Sequence, residues 1–141
     1  MPLLKNKIEY IQKEEDKIRE NYGVDIVVVN YSDPTPGPDY DPYYKIGLIR
    51  SKIEYPERVL IYWISETELR ELPVGGLKVG DIIIKARPES KPYFEKALEQ
   101  KNPIEFEGKL FVPHLITENV LRTHIKVYCT RVEDTGVKEG G

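Results

Sequence analysis

Cysteine, methionine and tryptophan occur once each in this chain and histidine twice, and each scarcity removes a class of chemistry. With Cys129 alone no internal disulfide can form, so the fold must be held by packing, and a reducing, cytoplasmic setting is expected. His114 and His124 stand ten residues apart with only one cysteine nearby, which is not a zinc spacing. Both are expected to be ordinary surface or edge histidines. A nucleophilic pairing of Cys129 with His124 would need both on one face, but a separation of five puts them on opposite sides of a strand. Cys129 therefore reads as a small core hydrophobe. No apolar run approaches the roughly eighteen residues of a membrane span, and Met1-Pro2-Leu3-Leu4-Lys5 leads straight into charge. Neither a secretion signal nor an anchor is expected.

A basic excess is also missing. Charged residues make up 32% of the chain with the signs mixed, and the net charge is −3, whereas duplex binding draws on surplus cations to displace counterions. The glycines at 75, 76 and 80 are followed by Asp81 where a phosphate-cradling loop needs lysine, so they read as turn glycines. Asp33, Asp39 and Asp41 could offer oxygens to calcium, but their interleaved prolines do not match the known loop and they read as solvated acids. No catalytic residue, metal ligand or cofactor site is assigned, and the expectation is a protein that is not an enzyme.

What is present is a β-rich pattern. At 141 residues the chain is long enough for one packed domain, expected over 1–132, with the polar, glycine-rich 133–141 as a loose tail. Abundant Lys, Glu and Ile with eleven prolines resemble the composition of proteins from hot environments. The central stretch is Leu77-Lys78-Val79-Gly80-Asp81-Ile82-Ile83-Ile84-Lys85-Ala86-Arg87, whose three branched isoleucines suit a buried strand. Around it we expect an α+β fold: a small, mostly antiparallel β-barrel with an N-terminal amphipathic helix and a short helix between the third and fourth barrel strands.

In order, Leu4, Ile8, Ile11, Ile18 and Tyr22 space an amphipathic helix over 3–22, interrupted by Glu15 and ended by Gly23 in the left-handed conformation. Residues 24–30 read as a first strand with both faces buried in its second half. Residues 45–54 and 58–64 read as strands joined by a short connection at Tyr55-Pro56-Glu57. Ser65 to Glu68 has the form of a capping box, so Glu66 to Leu72 reads either as a helical turn or as a frayed strand end. Ser90 caps a helix over 91–100, and Glu107-Gly108 is a tight reversal between Ile104-Glu105-Phe106 and Lys109-Leu110-Phe111-Val112. The last strand, 122–132, alternates, with Ile125, Val127 and Cys129 on one parity.

Between 31 and 44 lie four prolines and the tyrosines Tyr31, Tyr40, Tyr43 and Tyr44. The prolines forbid helix and spoil strand pairing, so this segment is expected as a long, stiff, exposed loop. Its tyrosines make it either a candidate contact surface or a connector lying back on the barrel. Tyr93 and Phe94 form a second candidate contact segment.

Three strands, a helix and two strands is also the order of an OB-type barrel, which gives one alternative function, a binding module for single-stranded nucleic acid or another ligand. The run into Gly75-Gly76-Leu77-Lys78-Val79-Gly80-Asp81-Ile82, the inserted segment and then Ile104 to Val112 complete a layout that resembles the neck proteins of tailed viruses, the head-completion or head-closure family. That family uses a Gly-x-x-x-Gly-Asp phrase to enter a core strand and a later glycine-aromatic phrase in the next hairpin, where this chain has Phe111. The resemblance implies a structural adaptor that self-associates as a ring between portal and tail. Its partners would be other virion proteins, DNA would be near without being specifically bound, and no membrane would be involved.

Overall fold

The computed structural model describes residues 2–71 and 75–132. The loose tail expected at 133–141, and the Leu72 end of the helical turn, lie outside the described residues. Among the described residues the architecture is one six-stranded antiparallel sheet curled into a nearly closed barrel, a two-stranded ribbon, three α-helices and one short 3-10 turn.

Helix α1 (Pro2–Tyr22) leads into β1 (Val24–Tyr31). The junction corrects the expected left-handed glycine, because Gly23 does not have a positive φ. Glycine is needed here for close approach: an added Cβ would come within 2.8 Å of the Val59 carbonyl oxygen and nearer still to that of Arg19. The last carbonyls of α1 find donors in the Gly23 N–H and in Arg58, whose Nε and Nη2 donate to Arg19 and Glu20.

After the ribbon strands β2 (Thr35–Asp41) and β3 (Ile46–Ile49), β4 runs unbroken from Lys52 to Trp63, straight through the expected turn at Tyr55-Pro56-Glu57. The physical reason is division of labour along β4. Residues 52–59 pair with β1 and residues 60–63 with β5 (Ile82–Ala86), so at Pro56 only one side of β4 is paired and the missing N–H is tolerated. β1 is accordingly a barrel strand and not a separate preliminary one. It alternates, with Ile26 and Val28 inward and Val27 exposed, in place of the two-sided burial expected of it.

β5 is the central strand in space as well as in sequence, flanked by β4 and by β8 (Ile125–Arg131). Ile82, Ile83 and Ile84 are all buried, because a second small cluster of Ile64, Ile83 and Tyr128, backed by Leu69 of α2 (Glu66–Glu71) and Leu77, covers the outer face. From β5 a tight turn at Pro88–Ser90 opens α3 (Lys91–Gln100), which carries the chain to β6 (Ile104–Phe106) at the far edge. β7 (Lys109–Glu118) then brings it back toward β8 through the Glu107-Gly108 reversal. Ser90 does not cap α3 with its side chain; it is buried, and its hydroxyl donates to the Arg87 carbonyl at 2.7 Å. The main core is formed by the inward residues of all six sheet strands together with Phe94 and Ala97 of α3, and it includes Cys129.

The two edges of the curled sheet, β1 and β6, face each other, and side-chain amides fill the gap between them. Gln100 accepts from the Tyr31 N–H at 2.9 Å and donates to its carbonyl at 2.7 Å, while Asn102 donates to the Val29 carbonyl at 2.7 Å. Asn30 reaches from β1 to the Tyr93 carbonyl at 3.0 Å. These bonds occupy backbone groups that a bare edge strand would present to another chain.

Candidate interaction surface

The segment expected as an unpaired loop is a β-ribbon arm. β2 and β3 pair antiparallel, Thr35 opposite Ile49 and Asp41 opposite Ile46, with an irregularity between Pro36 and Asp41. Prolines are accommodated because the ribbon has only one partner per strand and its pairing is intermittent. Gly47 allows the crossing: its φ is +89°, and a Cβ there would lie 2.7 Å from the Asp39 carbonyl oxygen. At the tip, Asp41 Oδ1 accepts from the N–H groups of Tyr43 at 2.9 Å and Tyr44 at 3.4 Å, closing an aspartate-led turn. At the base, the Ser32 N–H donates to the Ser51 carbonyl and the Ser51 N–H to the Ser32 hydroxyl, at 2.9 and 2.8 Å.

This arrangement leaves apolar side chains in water. Tyr43 is 83% exposed and Tyr44 70%, packed edge-on with ring centres 4.9 Å apart, and Ile46, Leu48 and Ile49 along β3 are exposed as well. Of the four tyrosines expected to act together, only these two meet. Tyr40 lies half-buried within β2, and Tyr31 belongs to β1, where Gln100 holds its backbone.

The second candidate segment needs correction. Phe94 is fully buried in the main core and offers no contact surface, and Tyr93 is half-buried, stacked on Tyr55 with ring centres 3.9 Å apart. Adjacent positions of a helix differ by about 100° in direction, so one faces the barrel and the other follows its rim.

His114 is an exposed histidine on β7, as expected, whereas His124 is half-buried among charged neighbours. His114 Nε2 lies 2.9 Å from the Gly75 carbonyl oxygen. His124 Nδ1 lies 2.9 Å from Glu15 Oε1, which also lies 3.4 Å from Lys85 Nζ. Burial pushes the His124 pKa below its ordinary value, Lys85 adds to that shift, and Glu15 opposes it. This cluster was missed by sequence reasoning, although its signal was present: Glu15 breaks the apolar stripe of α1 because it faces the barrel. Arg19, one turn on, is buried for the same reason.

Near it, Glu57 is buried and bound through both oxygens to Arg87 at 3.0 Å, a bond that raises the arginine pKa further. Asp81, the residue after Gly80, is completely buried and accepts from the N–H groups of Lys78 at 2.8 Å and Arg131 at 2.9 Å. It ties the entry of β5 to the end of β8. The Cys129 thiol is buried beside it, and burial, with the Asp81 charge second, pushes its pKa far above the ordinary thiol range.

Among the described residues no helix is long and apolar enough to cross a membrane. Comparison of the chain with protein-family models, with curated proteins and with solved structures finds no match.

Proposed function

We propose that this protein is a non-enzymatic structural adaptor that uses the β2–β3 arm to grip neighbouring subunits, as in the ring-forming neck proteins of tailed viruses that its layout resembles. The observation that carries this reading is the arm itself. A two-stranded ribbon is marginal alone in water, and this one holds two tyrosines, two isoleucines and a leucine in solvent. Covering them with a partner removes the exposure and steadies the ribbon together. The mild negative charge of the chain suits a ring through which DNA slides without sticking.

The test is native mass spectrometry and light scattering on the full chain, alone and mixed with a portal protein. A closed oligomer, or a complex with the portal, is the expected result, and the double change Tyr43→Ser, Tyr44→Ser at the exposed tip should weaken association at least about tenfold. Its thermal unfolding should stay unchanged. A strict monomer under both conditions overturns the reading.

The OB-type alternative, a module for single-stranded nucleic acid, draws support from the arm's place between the first and second barrel strands, a connection such domains use for ligands. It is the weaker reading. The half-exposed ring of Trp63 already packs against Phe106 and Phe111, and the Lys109 ammonium lies 5.9 Å from its centre. A steep salt dependence of oligonucleotide binding would favour this alternative over the adaptor.

A further inference from the structure

The arm and the half-exposed Trp63 stand at opposite ends of one strand. The arm leaves the barrel where Tyr31 pairs with Lys52 at the start of β4, and Trp63 closes that 12-residue strand. At about 3.3 Å per residue the two ends lie roughly 35 Å apart. The ribbon strand β2 spans about 20 Å, so the arm cannot lie back on the Trp63 end of its own molecule. A contact between these two surfaces joins two copies.

Both surfaces are incomplete alone. The arm holds Tyr43, Tyr44, Ile46, Leu48 and Ile49 in solvent. At the other end Trp63 is 41% exposed, with Phe106 half-buried beside it at 5.6 Å between ring centres. Leu110 and Val132, linked by the Val132 N–H donating to the Leu110 carbonyl, are exposed on the adjoining strand ends.

The charges of the two surfaces correspond. On the arm, Lys45 and Arg50 bracket β3 while Asp33 and Asp39 accompany β2. At the other end Glu105 and Glu107 stand at the β6–β7 reversal. Lys109 on β7, its ammonium 5.9 Å from the Trp63 ring centre, and Arg131 on β8 supply the opposite sign there. None of these charged side chains has an ion-pair partner among the described residues. One orientation sets cations against acids throughout, with β3 toward the β6–β7 reversal and β2 toward Lys109 and Arg131.

We propose that the arm of one copy docks on the Trp63 end of the next, a head-to-tail contact between two copies of this chain. It deepens the adaptor reading, on which it rests, by naming what the arm grips. Arm-to-arm pairing would leave the Trp63 end in water, whereas this contact covers both exposed surfaces at once. Because two different surfaces meet, the contact is heterologous and repeats around a ring where its rotation closes.

The experiment uses two charge-reversed forms of the full chain, Lys45→Glu with Arg50→Glu, and Glu105→Lys with Glu107→Lys. All four side chains are exposed, so thermal unfolding should match wild type. By native mass spectrometry and light scattering, each form alone should assemble at least about tenfold more weakly. Mixed one to one they should recover wild-type assembly, since every contact again joins opposite charges. Trp63 is the chain's one tryptophan, so its emission should move to the blue as protein concentration rises and the indole leaves water. Tyr43→Ser with Tyr44→Ser should abolish that shift. If the Glu105→Lys, Glu107→Lys form assembles like wild type, or the Trp63 emission does not move with assembly, the head-to-tail contact is overturned. An assembly that still depends on Tyr43 and Tyr44 would in that case leave the adaptor reading standing with a different partner surface.

Discussion

Asp81 shows how one side chain can close a fold. Its two oxygens hold N–H groups from the turn before the central strand and from the end of β8, and its side chain is completely buried. Asp81→Ala leaves both donors unsatisfied, at roughly 1–3 kcal/mol apiece, and should lower the urea midpoint accordingly; Asp81→Asn, which keeps one acceptor, should lose less. Equal midpoints for wild type and Asp81→Ala would disprove the role. His124 gives a prediction in pH. Its folded pKa is depressed, so the unfolded chain binds the proton more readily, and stability rises with pH across the shift. The groups facing it are Glu15 on α1, Lys85 on β5, and Lys126 and Thr123 close by in the chain. Its contribution is fully present above the ordinary histidine value of about 6.5, is lost as pH falls through that value, and levels off below the folded pKa. Denaturant midpoints measured between pH 7.5 and 5, compared with those of His124→Gln, should show a steeper fall for wild type. Parallel curves would rule this out.

At the level of elements, the edge clamp is the most direct target. Gln100 replaces a neighbouring strand for Tyr31, and Gln100→Ala should cost about 1–3 kcal/mol and release the Tyr31 amide to hydrogen exchange before the rest of β1. If that amide stays as protected as in wild type, the clamp is incidental. The elements also show what could be read from the chain unaided. The three isoleucines of β5 and the hairpin at Glu107-Gly108 carry their structure in local pattern and lie where it places them; α1 does so in extent, but Ile18 and Tyr22 of its expected apolar stripe are exposed. β4 does not, because whether Pro56 breaks a strand depends on which side of it is paired, a fact of tertiary structure. The sequence of the arm reads as loop for a related reason: pairing between residues 35–41 and 46–49 outweighs the proline count only once the two strands are side by side. Of the candidate site, Tyr43 and Tyr44 were legible as exposed aromatics. The burial of Phe94, one position from Tyr93, and the inward turn of Glu15 and Arg19 depend on how each helix is rotated against the barrel.

For the whole molecule, the barrel is closed enough that its interior chemistry is silent. The Cys129 thiol is fully buried with its pKa pushed up, so reaction with a thiol reagent at pH 8 should be on the order of 100-fold slower in the native protein than in urea. Rapid native labelling would mean that the core opens far more often than its packing implies. The amide seam between β1 and β6 carries a further implication for growth in numbers. With Gln100 and Asn102 occupying the outer rim of β1, that rim is closed to a strand added from a second molecule, and the open ribbon edges of the arm are left as the place for such pairing.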